Sequence, residues 1–467
     1  MFTVDHRELF RRTLEHASSY RDSLAERKPG PRLGPPELER LFDGPTPEHP
    51  DDPLAVLDAL AAAGEAGITS PSSPGFFGWV MGGSHPVGVA ADMMASAWGQ
   101  NVASYACSPA GATAEKIAGR WLLDLLGLPQ GASVGFVTGA TMAAFTCLAA
   151  ARGELLSRQG WDVDRDGLFG APHLRVFAGD AVHATNLSAL RYLGLGSGIC
   201  AIATDAQGRM DVGELAAELA AHEGPAIVIA NAGQINTGSF DRFGDIAAVC
   251  QGRGAWLHVD GAFGLWGRVL PEKADLLAGV DQADSWSVDG HKWLQLPYDS
   301  GFAIVRDRDA HARAMAIRAS YLVPAAGLEH DPSQYVPELS RRARGFALWA
   351  MLRALGREGI ADIVRTHCGL ALSLADALAP EPGITVVNEV VLNQLILAFG
   401  EAGDADRHTE AVISQLGTDD RFLALGADWK GRQVLRISVI SPTTDAATID
   451  RLVAAIITAW RSVKEPR

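Results

Sequence analysis

Residues 284–301, DSWSVDGHKWLQLPYDSG, combine a short strand pattern with a lysine that follows almost directly. Apolar and polar residues alternate up to Asp289, and His291, Lys292 and Trp293 come next, before a Pro-Tyr-Asp-Ser-Gly turn. An isolated lysine is most often solvated. A lysine at the end of an apolar stretch can instead be desolvated, which favours a neutral, nucleophilic amine. The stretch therefore predicts a strand that is followed by either a solvated or a reactive lysine.

Five more short apolar stretches between residues 110 and 310 alternate with helical segments, and several end in Gly, Asp or Asn. They are VGFVTG, LRVFAG, AIVIANAG, AWLHVD and GFAIVR. This alternation predicts an α/β domain with a mostly parallel sheet and helical crossovers. After residue 340, a long helical region and the stretches ITVVNEV, QLILAFG and VLRISVI predict a smaller α+β domain. Ligands of open parallel sheets bind beyond the carboxyl ends of the strands.

Asp260 closes the stretch AWLHVDGAFG and precedes small residues that let a flat ligand approach the backbone. A carboxylate in this position often only caps a turn. However, Asp260 and Lys292 are 32 residues apart, about one helix plus one strand, so we expect both at the same edge of the sheet. There they can serve two ends of one cofactor.

Two further strand ends carry residues of interest. In FVTGATMAAF, Gly139, Ala140 and Thr141 precede a helix whose free N–H groups can hold a phosphate, although a plain glycine turn fits equally well. In AGDAVHATNLSALRYLG, His183 lies at a strand-to-helix junction, where it is either a satisfied cap or a ring available for stacking.

An anion site, a stacking ring, an acid and a lysine thus occur in that order, each at the end of a strand. Pyridoxal phosphate needs four such groups from a protein: a phosphate-binding site, a ring to stack on, a carboxylate for the pyridine nitrogen and an amine for the aldehyde. A nicotinamide-dependent dehydrogenase is the weaker alternative, because the glycine turn lacks GxGxxG and no acid follows at the expected distance.

The chain resembles the group II pyridoxal-phosphate decarboxylases, the family of aromatic-L-amino-acid and glutamate decarboxylases. The resemblance runs from SPGFFGWVMGGSHPVG and SPAGATAEKIAGRWLLDLLGLP through LHVDGAFG and DGHKWLQLPYDSG to LSRRARGFALWAMLR and LRISVISP. It implies the PLP-dependent transferase fold (aspartate aminotransferase fold type I). It also implies a homodimer with active sites at the interface, and decarboxylation of an L-amino acid to an amine and CO2.

The resemblance also implies roles for individual residues. Lys292 is expected to form the Schiff base, Asp260 to bind the pyridine nitrogen, His183 to stack on the ring and Ala262 to pack beneath it. The phosphate is expected to be held by Gly139, Ala140, Thr141 and His291.

Tyr321, in AIRASYLVP, is expected to reprotonate the α-carbon from a closing loop at 321–335. Family members with phenylalanine there tend to form aldehydes. Aldehyde synthesis by decarboxylation-coupled oxidative deamination, or transamination, therefore remains the alternative within this cofactor class. A non-catalytic binding module with the same fold is the alternative from another class, although Lys292 and Asp260 are both retained.

Two departures from the family pattern matter. Asp289 and Gly290 replace the common Asn-Pro before His-Lys, and an acid near the phosphate is unfavourable unless its side chain turns away. The segment GFFGWVMGGS is expected to shape an apolar substrate pocket, with a glycine where aromatic-acid decarboxylases have threonine. The predicted pocket residues are Phe77, Trp79, Val80, Met81 and Gly82.

Composition agrees with a small-molecule enzyme. The 467 residues are 48% hydrophobic and 20% charged, and the net charge of −15 disfavours nucleic acid and anionic membranes as partners. The five cysteines show no paired spacing, and the N-terminus does not resemble a signal peptide, so we expect no metal site and a cytoplasmic location. The expected division is a dimerising helical arm at 1–90, a cofactor domain at 91–338 and a small domain at 339–467. We expect Arg436 to have a structural role.

Overall fold

A computed structural model describes residues 5–317, 331–401 and 403–464 of the chain. Contacts divide the chain into two compact units. One comprises Met1–Trp79, Asp376–Thr385 and Leu397–Arg467, and the other Val80–Ala375 and Val386–Ile396. The three-part division expected from the sequence stays a prediction.

The larger unit contains a seven-stranded sheet. Its strands are β1 (Ser133–Val137), β2 (Arg175–Gly179), β3 (Cys200–Ile202), β4 (Ala226–Asn231), β5 (Trp256–Asp260), β6 (Ser285–Asp289) and β7 (Gly301–Val305). The spatial order is β1-β7-β6-β5-β4-β2-β3. Neighbouring strands from β6 to β3 pair in parallel, whereas β7 is antiparallel to both β6 and β1. Strands β1, β4, β5, β6 and β7 are buried throughout, as expected for a sheet covered on both faces. The predicted mostly parallel α/β sheet is confirmed, and the sequence prediction missed only its short edge strand β3.

The helices are α1 (His6–Asp22), α2 (Pro35–Phe42), α3 (Pro53–Gly67), α4 (Pro86–Ala97), α5 (Pro109–Leu125), α6 (Ala140–Ser157), α7 (Val163–Asp166), α8 (Ala184–Tyr192), α9 (Val212–Ala221), α10 (Phe243–Arg253), α11 (Arg308–Met315), α12 (Gly345–Leu378), α13 (Ala405–Leu416) and α14 (Ala446–Lys464). Four of them, α2 to α5, carry proline in the first turn, where its missing N–H leaves no bond unmade. Pro35 therefore begins a helix instead of preventing one. None of these helices within the described ranges is long and apolar enough to cross a membrane.

A second sheet of four strands has the order β10-β11-β9-β8, with β8 (Ile384–Val386), β9 (Gln394–Phe399), β10 (Leu425–Trp429) and β11 (Arg432–Ser438). Strands β10 and β11 form an antiparallel hairpin whose turn residues, Lys430 and Gly431, both have positive φ angles. Such turns match the twist of paired strands. The smaller α+β region expected after residue 340 has this sheet, with one strand, β10, that was not anticipated.

Strand direction determines where chemistry can occur in the larger unit. Since β1 and β6 are both antiparallel to β7, β1 runs in the same direction as β6 and the rest of the parallel set. The carboxyl ends of β1, β2, β4, β5 and β6 therefore lie at one edge of the sheet. Helix α6 begins just after β1, and α8 begins shortly after β2. Their N-termini consequently lie at this edge.

Candidate active site

A cavity of about 330 Å³ lies at this edge of the larger unit, within the volume range of small-molecule sites. It brings together all eight residues expected to hold the cofactor: Gly139, Ala140, Thr141, His183, Asp260, Ala262, His291 and Lys292. Asp289, which the sequence analysis placed near the phosphate, also lines the cavity. Sequence reasoning did not assign a site role to the other described residues that line it, Thr138, Met142, Ala181, Thr185, Asn231, Gly233, Gln234, Ile235 and Phe263. Most of them follow directly from the same strand ends, which is the signal that could have identified them.

Asp260 is the last residue of β5, and it is buried. Its Oδ2 accepts a hydrogen bond from Nδ2 of Asn186 at 2.6 Å, and its Oδ1 accepts one from the backbone N–H of Ala262 at 3.1 Å. Both donors are neutral, so they hold the carboxylate without cancelling its charge. Asn186 is three residues after His183, a spacing that places both on one face of the first turn of α8. That spacing was readable in the sequence, but the asparagine was overlooked.

His258 lies two residues before Asp260 on β5 and is fully buried. Its ring nitrogens contact the hydroxyl groups of Ser285 at 2.9 Å and Ser287 at 3.3 Å, both on β6. Burial lowers the pKa of His258 to about 4, and the charge of Asp260 opposes that shift only in part. The imidazole is therefore neutral at pH 7 and adds no positive charge near Asp260.

His183 is the N-cap of α8 and also lines the cavity. Its Nδ1 accepts a hydrogen bond from the backbone N–H of Thr185 at 3.3 Å and lies 2.7 Å from the hydroxyl of the same threonine. The cap interpretation of the sequence thus describes the local contacts. Because the cap fixes the ring at the cavity wall, it is compatible with the predicted stacking role.

Lys292 lies three residues beyond β6, and its side chain is 20% exposed. Its Nζ is 3.0 Å from Oδ2 of Asp289 and 6.0 Å from the ring centre of Phe263. The interpretation as a solvated lysine is therefore wrong. The partner of Lys292 is instead the buried carboxylate of Asp289.

Asp289 does not turn away from the expected phosphate position. Its Oδ1 accepts a hydrogen bond from the backbone N–H of Ala140, in the first turn of α6, at 2.6 Å. The same oxygen is 3.3 Å from Nε2 of His291, and the side chain is only 3% exposed. The reason is electrostatic, because a helix N-terminus and a lysine both attract an anion and no other acid lies in the first turn of α6. The sequence analysis allowed for a carboxylate that turns away from the phosphate position. In the structure the carboxylate instead contacts the N-terminus of α6.

His291 is fixed from two sides. Its Nδ1 accepts the backbone N–H of Ser300 at 3.2 Å, and its ring stacks on Tyr298 with centroids 4.2 Å apart. Burial lowers the pKa of His291, while Asp289 acts in the opposite direction. A Cβ on Gly139 would lie 3.0 Å from Cε1 of His291, so a side chain there would press against the imidazole. Glycine at this position keeps the ring and the N-terminus of α6 close together.

Three of the predicted pocket residues, Val80, Met81 and Gly82, belong to the same unit as the cavity, but none is among its described lining residues. Val80 is buried. A Cβ on Gly82 would lie 1.8 Å from the carbonyl oxygen of Lys292, so the close approach of two backbones requires glycine here. Their role in substrate binding stays a prediction.

The other two pocket residues, Phe77 and Trp79, belong to the smaller unit. Phe77 is fully buried against Phe422, whereas Trp79 is 47% exposed. Arg436 also lies in this unit, on β11, where burial lowers its pKa. Tyr321 and most of the 321–335 loop lie outside the described residues. The roles expected for these residues stay predictions.

The sequence profile described as "Pyridoxal-dependent decarboxylase conserved domain" matches residues 35–398, more than half of the chain. The chain belongs to this decarboxylase family. It is 33% identical to an aromatic-L-amino-acid decarboxylase of Bacillus atrophaeus, over 85% of this chain and 83% of that protein. It is 24% identical to a phenylacetaldehyde synthase of Arabidopsis thaliana, over 93% of this chain and 90% of the relative.

Among solved structures, the tryptophan decarboxylase (TDC) of Oryza sativa with PLP and tryptamine superimposes with a TM-score of 0.93. That alignment covers 100% of this chain and 99% of the other at 24% identity, and it confirms the predicted fold. The decarboxylase is a PLP-dependent carboxy-lyase that acts on an amino acid. The predicted cofactor and enzyme class are therefore confirmed.

The residues of the cavity fit pyridoxal phosphate. The carboxylate of Asp289 on the N–H of Ala140 shows that the N-terminus of α6 holds an anion at this position. Asp260 lies on the wall of the same cavity with its charge uncancelled, and Lys292 also borders it. An anion site, an acid and an amine thus border one cavity.

Proposed function

We propose that this decarboxylase converts an aromatic L-amino acid to the corresponding amine and CO2. The observation that carries the proposal is the assembly of Asp260, Lys292, His183 and the N-terminus of α6 around one cavity. Bound pyridoxal phosphate supplies an electron sink for the electrons of the breaking carboxyl bond. The protein residues bind and orient the cofactor and the substrate, and they deliver a proton to the α-carbon.

In this proposal, Lys292 holds the cofactor aldehyde, and Asp260 keeps a proton on the ring nitrogen by its negative charge. His183 and Ala262 pack on the ring, while Thr141 and the N–H groups that follow Gly139 bind the phosphate. His291 would also contact the phosphate. Tyr321 delivers a proton to the α-carbon of the substrate, which yields an amine instead of an aldehyde.

Two observations support an aromatic or other apolar substrate. Phe263, Ile235 and Met142 line the cavity, and the ring of Phe263 lies near the amine of Lys292. No arginine is among the lining residues within the described part of the chain, so an acidic substrate side chain would lack a strong partner there. The named activities of the Bacillus and Oryza relatives agree with this choice.

Aldehyde formation is the second candidate, because a relative that covers most of the chain is named a phenylacetaldehyde synthase. Product analysis separates the two. The purified holoenzyme is incubated with tryptophan, tyrosine, phenylalanine, leucine and glutamate, and CO2, amine, aldehyde, ammonia and peroxide are measured. We expect CO2 and an equal amount of amine from one or more aromatic acids, and no product with Lys292→Ala.

Tyr321→Phe provides the matched variant, since it removes one hydroxyl group and nothing else. We expect it to decrease the amine and increase the aldehyde, with O2 as the oxidant and with release of CO2, ammonia and peroxide. Equal amine yields from both proteins would refute the role of Tyr321 but not decarboxylation. Ammonia and aldehyde as main products of the unmodified enzyme would establish the second candidate.

We further propose a cytoplasmic homodimer. The N-terminal helices support it, because Phe10, Leu14, Leu41, Phe42 and Leu60 are each at least half exposed there and would be covered by a second copy. Light scattering on the purified enzyme tests this assembly. A monomer mass at micromolar concentration would exclude it.

A further inference from the structure

Asp289 occupies the place where an anionic ligand of this cavity would bind. One oxygen of its carboxylate accepts the N–H of Ala140 at 2.6 Å, and the other lies 3.0 Å from the amine of Lys292. His291 is 3.3 Å from the first oxygen. The groups that attract a phosphate are therefore already in contact with an anion that belongs to the chain.

The backbone of Asp289 is held firmly, so its main chain cannot withdraw. Its N–H donates to the carbonyl of Ala262, its carbonyl accepts from the indole N–H of Trp266, and the residue pairs with Gly301 across β6 and β7. A Cβ on Gly301 would lie 2.4 Å from the Cα of Gly139, so the start of β7 also packs tightly against the turn before α6. Rotation of the side chain moves the carboxylate without breaking these backbone contacts.

We propose that Asp289 is an internal anion that competes with the cofactor phosphate for the N-terminus of α6 and for Lys292, and thereby sets how tightly the enzyme holds its cofactor. This inference rests on the proposed function, since it takes the cavity to be the pyridoxal phosphate site. Two negative groups within a few ångströms of one another repel strongly where water is scarce. Phosphate binding must therefore displace the carboxylate or bear the repulsion.

Asp289→Asn tests the competition, because it keeps the size of the side chain and one acceptor for Ala140 but removes the charge. Affinities of cofactor-free wild-type and variant protein are measured calorimetrically for pyridoxal phosphate and for pyridoxal, which lacks the phosphate. A change that acts only through Lys292 alters both affinities alike. If Asp289 competes with the phosphate, the variant should prefer pyridoxal phosphate over pyridoxal more strongly than the wild type does. We expect the ratio of the two affinities to rise by about tenfold or more, because the charge repulsion is lost.

Inorganic phosphate gives a second readout that involves neither the aldehyde nor catalysis. We expect phosphate to raise the melting temperature of the cofactor-free Asp289→Asn protein more than that of the wild type. Asp299→Asn is the matched control, because Asp299 lies in the same segment but is exposed and pairs with Arg344. We expect its phosphate response and its ligand preference to change less than those of Asp289→Asn, because the exposed carboxylate of Asp299 acts on His291 only through its charge.

An unchanged or smaller preference for pyridoxal phosphate in Asp289→Asn would overturn the proposal. If that variant does not fold, Asp289→Ser supplies a neutral side chain that still offers an oxygen to Ala140, and the same criterion applies. Failure of the proposed function has a different signature, since the wild type would then release no amine from any aromatic acid, whatever the ratio of its affinities for pyridoxal phosphate and pyridoxal.

Discussion

Asp260 and Asp289 end neighbouring strands of one sheet, both are buried and both border the same cavity, yet their surroundings are opposite. The donors to Asp260 are neutral, an asparagine amide and a backbone N–H. The partners of Asp289 include the amine of Lys292 and the N-terminus of α6, both of which carry positive charge.

The difference shows that residue type and position at a strand end do not determine the role of a carboxylate. Neutral donors orient Asp260 but leave its charge to act on a ligand. Cationic partners neutralise Asp289 within the chain, so a ligand with a negative group meets a competitor. In the proposed function, one end of the cavity would thus suit a cationic ring nitrogen, and the other would have to be rearranged for a phosphate.

Removal of the charge at the Asp260 end should have the largest effect. Asp260→Asn keeps the shape of the side chain and the contact with Asn186 but cannot hold a proton on a ring nitrogen by charge. We expect kcat to fall by roughly 10²–10³-fold or more, the range for loss of one preorganised electrostatic contact. Steady-state kinetics of the holoenzyme measure this, with the bound cofactor quantified by its visible absorption. A kcat within tenfold of wild type at full cofactor occupancy would remove Asp260 from the proposed role.

The pH dependence of protein stability tests whether His258, two residues before Asp260, is a buried neutral imidazole. Its pKa is about 4 in the folded chain, below the unfolded value of 6.5, so the unfolded state binds more protons between these pH values. The contribution of His258 to the free energy of unfolding should therefore rise with pH from 4 to 6.5, by roughly 3 kcal/mol over that range. Below pH 4 its contribution is fully lost.

Urea unfolding of cofactor-free wild-type and His258→Gln proteins between pH 4 and 7.5 isolates that contribution. Asp241, whose pKa burial raises to about 6, acts in the opposite direction between its unfolded value of 3.8 and 6, but it is present in both proteins. The difference between the free energies of unfolding of the wild-type and His258→Gln proteins should narrow as the pH falls. Parallel curves would mean that the histidine is not held neutral.

The sequence predicted which strand-end residues meet at the cavity, but it did not predict how the Asp289 carboxylate is oriented, and this limit has a physical cause. Strand-end residues such as Gly139, Asp260 and Lys292 were found because parallel strands bring them to one edge. The orientation of the Asp289 carboxylate depends on a contact with Ala140, 149 positions away in the chain, which no local pattern encodes. Sequence reasoning missed β10 because its burial alternates only weakly and a Gly lies inside it.

Asn186 provides the smallest expected effect and the finest test of the Asp260 end. Its side chain is fully buried, and its Nδ2 donates to Asp260 at 2.6 Å. Asn186→Ala removes this donor, so the carboxylate is less well oriented. We expect kcat to fall by about tenfold with little change in KM, as is typical when a group that orients a functional ligand is lost. A purely structural role would instead lower the melting temperature and leave kcat of the folded holoenzyme unchanged.

Asn186→Asp is the more informative partner variant, because it exchanges the donor for a second acceptor of nearly the same shape. Two carboxylates at this distance cannot both be ionised, so they would share a proton. We expect activity to depend steeply on pH in the acidic to neutral range and to fall below that of Asn186→Ala where both acids are driven to ionise. The pH profile of kcat measures this. A profile identical to that of the wild type would show that position 186 does not act through Asp260. The neutral donor Asn186 would then not explain why the charge of Asp260 is left to act on a ligand.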